Sequence, residues 1–110
     1  MPTDIAGVHR LVDELLRAHD PLSSEPTAFW GAQFDLGLAW VHFPMGLGGL
    51  GVQPMVQELV TERLDSVGAP KNGLINFVGM GTAGPALVAF GTAEQQRRFL
   101  RPMFTCDEVW

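Results

Sequence analysis

The stretch Leu74-Ile75-Asn76-Phe77-Val78-Gly79-Met80-Gly81-Thr82-Ala83-Gly84-Pro85-Ala86-Leu87-Val88-Ala89-Phe90 decides between two folds. In one, Leu74, Ile75, Phe77 and Val78 form a strand and Ala86 to Phe90 open the next helix. Backbone N–H groups from Gly79 to Gly84 then face a pyrophosphate, because these glycines match the dinucleotide-binding spacing. In the other, Asn76 to Phe90 is a helical stretch, apolar on every side, kinked or broken near Gly84 by Pro85. The first fold needs a second parallel strand ending in an acidic residue about 20 positions further on. The chain instead runs on through Glu94-Gln95-Gln96-Arg97-Arg98, the start of a helix, and too little of it remains after Gly84 to complete a doubly wound sheet. The same spacing recurs at Gly46-Leu47-Gly48-Gly49-Leu50-Gly51, again without the strands it requires. A small dinucleotide-binding protein is the disfavoured reading, and glycines that permit close helix packing are the favoured one.

Downstream, Thr92-Ala93-Glu94-Gln95 is a capping box that opens a helix through Phe99 and Leu100. Arg98 and Arg101 suit the negative end of its dipole, and Pro102 is expected to stop it. Upstream, Pro54 suits the first turn of a helix with Val56, Leu59, Val60, Leu64 and Val67 inward. Its outward residues are Gln57, Glu58, Thr61, Glu62 and Asp65, and Gly68 and Pro70 end it. Between Leu38 and Val52 the glycines preclude a regular helix and predict a tightly packed loop with apolar contents. Before it, a helix from Pro26 buries Phe29, Trp30, Phe34 and Leu38, weakened by Gly31 and Gly37. The first helix carries Ile5, Val8, Leu11, Val12, Leu15 and Leu16 at three- and four-residue spacing, with Thr3 or Asp4 as its cap. Five helical segments without an alternating strand predict an all-α fold, a small orthogonal helical bundle with the all-apolar fourth segment at its centre.

Composition narrows the partners. The chain has 110 residues, 7 Lys+Arg, 12 Asp+Glu, a net charge of −5 and 46% hydrophobic residues. That is too apolar for intrinsic disorder and fits one domain, 1–110, burying roughly two thirds of its unfolded surface. The acidic balance offers no footprint for nucleic acid, since the basic residues cluster only at Arg97, Arg98 and Arg101. Cys106 is the single cysteine, so no intrachain disulfide forms, and Met1-Pro2-Thr3-Asp4 lacks the features of a signal peptide. A cytoplasmic location is expected. Gly73 to Gly91 is uncharged, but its glycines, Pro85 and Asn76 argue against a membrane span.

Residues with catalytic potential are scattered. His9, His19 and His42 lie in separate segments, and His9 with Asp13 on one helix face falls short of a metal site. Cys106 has no His or cation nearby in sequence to activate it. Glu14, Glu58, Glu62, Asp65 and Glu94 fall on polar faces or caps, where a general acid or base is not expected. Composition and spacing alone therefore identify no catalytic residue and no metal ligand.

The segment Gly84-Pro85-Ala86-Leu87-Val88-Ala89-Phe90-Gly91-Thr92-Ala93-Glu94-Gln95-Gln96-Arg97-Arg98-Phe99-Leu100-Arg101-Pro102 resembles the N-terminal domain of acyl-CoA dehydrogenases. The upstream order of helices and the Gly-Gly-Leu-Gly loop between Pro44 and Gly51 are similar to that family too, although Met45, Gly46, Leu47 and Gly48 stand where it usually carries acidic and aromatic residues. Asp107-Glu108-Val109-Trp110 looks like the family's passage into its flavin-binding β domain. The resemblance implies part of a FAD enzyme that oxidises an acyl-CoA thioester to the enoyl-CoA, with a glutamate base and an electron-transfer flavoprotein as electron acceptor. It also implies that most FAD contacts and the base belong to a middle β domain and a C-terminal helical domain, expected to be absent from this chain, so that it is inactive alone. Phe77, Met80, Gly81 and Gly84 match the segment that lines the acyl-chain cavity in the family. The alternative is a non-catalytic interaction module that docks on a complete dehydrogenase subunit.

Overall fold

Val8, Val12 and Leu15 follow one another at helical spacing, and all three are fully buried on α1 (Ile5–Ala18). The computed structural model describes residues 5–71 and 82–107, so the proposed caps Thr3 and Asp4 lie outside the described residues. Ile5, at the open end of the apolar stripe, is exposed.

Pro26 sits in the first turn of α2 (Pro26–Asp35), where its missing N–H has no intrahelical partner to lose. Phe29, Trp30 and Phe34 face the core as expected. Leu38 is also buried, but it lies beyond the helix, because Gly37 turns the chain at φ +81°. Leu38 N donates to Gln33 O at 2.9 Å and Gly37 N to Phe34 O at 3.0 Å, the two bonds of a Schellman ending. A side chain on Gly37 would also press on Leu50.

The next helix, α3 (Val56–Ser66), ends the same way at Gly68, with Gly68 N bonded to Asp65 O and Ala69 N to Leu64 O, each at 3.1 Å. Pro54 stands just ahead of the helix in a turn rather than within it. Val60 and Leu64 are buried and Val56 and Leu59 half-buried, whereas Val67, placed inward by spacing, is exposed because the helix has already stopped.

Short α4 (Gly84–Phe90) follows a wide π-type turn at Thr82 and Ala83, so the predicted distortion ahead of Pro85 is present. The described part of the segment does not take the expected central position, and residues 76–81 of it lie outside the described residues. Pro85, Ala86, Ala89 and Phe90 are exposed, Phe90 to 90%. Among the described residues α4 packs on one side, against α5 (Ala93–Phe104), and Leu87 and Val88 reach the core edge from there.

Thr92 caps α5 reciprocally: Gln95 N donates to Thr92 Oγ1 at 3.1 Å, and Thr92 N to Gln95 Oε1 at 2.9 Å. Pro102 does not stop this helix, which continues for two residues. Met103 and Phe104 are buried there, so burial outweighs the one amide donor that Pro102 lacks near a helix end. The layers are α1 on α3 and α2 on α5, with α4 outside α5; no strand occurs among the described residues beyond an isolated bridge between Met45 and Gly49. The all-α expectation holds.

The centre is the irregular segment 38–52. Leu38, Ala39, Trp40, Val41, Phe43 and Leu50 are all buried. Trp40 stacks on Phe43 with centroids 4.9 Å apart and meets Phe104 edge-on at 5.1 Å, which joins the loop to α5. The loop satisfies its own buried amides: Ala39 N and Trp40 N share Gly48 O, Leu50 N and Val52 N share Val41 O, and Gly51 N bonds Phe43 O. Val41 N goes to the Gln57 side chain at 3.0 Å, and buried Gln33 donates to Leu38 O at 3.0 Å.

Candidate functional site

Of the four residues matched to an acyl-chain lining, Phe77, Met80 and Gly81 lie outside the described residues. Gly84 is the buried first residue of α4. The helix it starts presents Pro85, Ala86, Ala89 and Phe90 outward, a small apolar face without a charged group. Gln96 of α5 holds the back of that helix in place, with Nε2 donating to Leu87 O at 3.0 Å and Val88 O at 3.4 Å. The α4 face is therefore anchored on its inner side and open on its outer side.

A second apolar feature is an open groove of about 380 Å³ between α1, the end of α2 and the glycine-rich loop. Leu11, Phe34, Leu36, Met45 and Leu50 form its walls, and Asp35 stands among them as the one charged group. Asp35 is engaged by Arg101, whose Nε and Nη2 donate to its two carboxylate oxygens at 2.9 and 3.0 Å. That hydrogen bond, reinforced by charge, raises the guanidinium pKa further. A Cβ at Gly31 would lie 2.7 Å from Arg101 Nη2, the movable end of that side chain.

The polar clusters hold structure. Arg63 of α3 donates from Nη1 to His9 O at 3.1 Å, approaches His9 Nδ1 at 3.3 Å, and pairs through Nη2 with Asp13. His9 and Asp13 do share a face, and the group between them is an arginine that ties α1 to α3. Among the described residues no three His, Cys, Asp or Glu side chains are grouped to hold a metal ion. Glu14, Glu58, Glu62, Asp65 and Glu94 stand on exposed faces as expected. Burial, and then the charge of Asp107, push the Cys106 thiol up, which disfavours the thiolate a nucleophile needs. Sequence reasoning put Gln57 outward and overlooked Gln33; both are amides recruited by loop backbone, Gln57 by Val41 sixteen residues earlier and Gln33 by Leu38 just past the end of its own helix, and spacing along a helix signals neither.

The glycine-rich loop does not fit the pyrophosphate of a dinucleotide such as FAD. Leu47, Leu50, Gly51 and Val52 already spend their amides on loop carbonyls, and a Cβ at Gly49 would run into the carbonyl oxygens of Phe43 and Trp40. Gly49 makes room for neighbouring backbone and Gly48 for the Phe34 and Trp40 rings. No described helix is long and apolar enough to cross a membrane.

A sequence model of the family described as acyl-CoA dehydrogenase, N-terminal domain, matches residues 7–107. The chain is 35% identical over 74 residues to the acyl-CoA dehydrogenase IpdE1 of Mycobacterium tuberculosis, an alignment covering 67% of this chain and 19% of that protein. Against IpdE1 of Mycolicibacterium smegmatis the identity is 32% over 74 residues, covering 67% of this chain and 18% of the relative. The aligned segment thus spans about a fifth of the length of these relatives. No solved structure matches the chain significantly.

Proposed function

The chain belongs to the acyl-CoA dehydrogenase family, and from that premise we propose that it acts as the N-terminal helical domain of a FAD-dependent acyl-CoA dehydrogenase. The observation that carries this reading is the family match across residues 7–107, which takes in nearly all of α1 and the whole of every later helix. In this role the chain's own residues bind and exclude water and do no bond-making. Phe77, Met80, Gly81 and Gly84 form part of the wall for the acyl chain, where small residues leave room for a hydrocarbon and apolar ones keep it dry. The described carboxylates are solvated and the glycine-rich loop does not fit a flavin, so no step of the dehydrogenation is assigned to them. Flavin, the base and the handover to an electron-transfer flavoprotein belong to the rest of the enzyme, which works in the cytoplasm on a fatty acyl-CoA or a related thioester.

The test is complementation. The chain is added to the Mycobacterium tuberculosis relative from which the matching N-terminal segment has been deleted, and dye reduction by acyl-CoA substrates is followed. We expect no turnover by the chain alone, even with added FAD, and recovered turnover in the mixture. Turnover by the pure chain, or none in the mixture, overturns the reading. In the complemented enzyme, Met80→Trp is expected to lower kcat/KM for long acyl chains more than for short ones; equal losses would remove Met80 from the cavity wall.

The exposed apolar face of α4, with Phe90 at 90% exposure, also favours a second reading, a non-catalytic module that docks on a complete dehydrogenase subunit. It predicts a stable complex with the intact enzyme, where the first reading predicts assembly only with the deleted one.

A further inference from the structure

The three described methionines divide sharply by environment. Met45 is 62% exposed and Met55 is 71% exposed, whereas Met103 is fully buried in the core. Met45 lies in the glycine-rich loop and Met55 just after it, and Met45 is also a wall of the 380 Å³ groove beside the loop. The backbone beneath Met45 is fixed: Leu47 N bonds Pro44 O at 3.1 Å, and Met45 is bridged to Gly49. A side chain that projects from a pinned backbone and does not belong to the buried core can be changed chemically without unfolding the domain.

We propose that Met45, with Met55 beside the loop, is a reversible sulfoxidation site for peroxides. The thioether sulfur attacks the peroxide, the O–O bond breaks, and the sulfur keeps one oxygen as the sulfoxide. Sulfur is oxidised by two electrons and hydrogen peroxide is reduced to water; a thiol-dependent reductase reverses the step. At Met45 the product sets a strong hydrogen-bond acceptor into a groove wall whose only charged member is Asp35. The chemistry turns one lip of that groove from apolar to polar and leaves the core intact.

The full chain is treated with hydrogen peroxide in native buffer and in urea, and each methionine peptide is followed by mass spectrometry, with circular dichroism as the measure of helix. In native buffer Met45 and Met55 are expected to oxidise ~10-fold or more faster than Met103, with helix content unchanged, because access of peroxide to the sulfur limits the reaction. In urea the three rates converge. Met45→Leu is expected to lose one native sulfoxide and to retain that of Met55. Equal native rates at Met45 and Met103, or loss of helix as Met45 reacts, would overturn the proposal.

Discussion

Residues 38–52 and α4 are made of similar material, glycine and apolar side chains, yet they end on opposite sides of the molecular surface. The loop has no regular secondary structure and supplies six core residues, Trp40 among them. The helix is regular and shows Phe90 almost entirely to solvent. Regularity and burial are therefore separate properties. A helix satisfies its own amides wherever it sits, and so it can be left at the edge. An irregular segment can be buried only when its amides find partners, and this loop finds them in Gly48 O, Val41 O, Phe43 O and the Gln57 side chain.

The sharpest way to break that contrast is to empty the loop. Trp40→Ala removes the ring that joins Phe34, Phe43 and Phe104, and is expected to destabilise the domain by about 4 kcal/mol in urea titration. A loss near zero would mean that the loop is a surface feature. Next comes Gly49→Ala, whose added carbon has only backbone carbonyls to displace and is expected to destabilise by about 3 kcal/mol. Its control is Gly46→Ala, where open space surrounds the position and only the φ of +87° opposes a side chain, for about 1 kcal/mol. If the two substitutions were equal, packing against backbone would not be the reason for Gly49. Least of all should Phe90→Ser change stability, by no more than about 0.5 kcal/mol, while it weakens any association through the α4 face, as read by sedimentation of the chain mixed with the intact Mycobacterium tuberculosis relative.

The helices were legible because their signals are local. Val8, Val12 and Leu15 repeat at helical spacing, Thr92 and Gln95 form a box within one turn, and Gly68 ends its helix by a conformation glycine adopts freely, whereas Gly37, expected only to weaken its helix, in fact ends it. The arrangement of those helices was not, because it depends on contacts between distant segments. Apolar residues on all sides of α4 look the same whether the helix is wrapped in its own core or left exposed at the edge, and the sequence carries no mark of the difference. Pro102 misled for a related reason: the penalty for proline is local, whereas the burial of Met103 and Phe104 that exceeds it is tertiary. Of the candidate site, the family pattern around Gly84 pointed to the α4 region, while the groove at Met45 comes from three segments that meet only in the fold.

Hydrogen–deuterium exchange with peptides resolving residues 38–52 and 84–90 tests the central contrast most directly. If the loop is the core, the amides of Trp40, Leu50 and Val52 exchange only in the global unfolding of the domain, and those of α4 exchange faster, through local opening. A loop that exchanges faster than α4 would contradict the account, since the centre of the molecule would then lie in the helices and the glycine-rich segment would be no more than a connection between them.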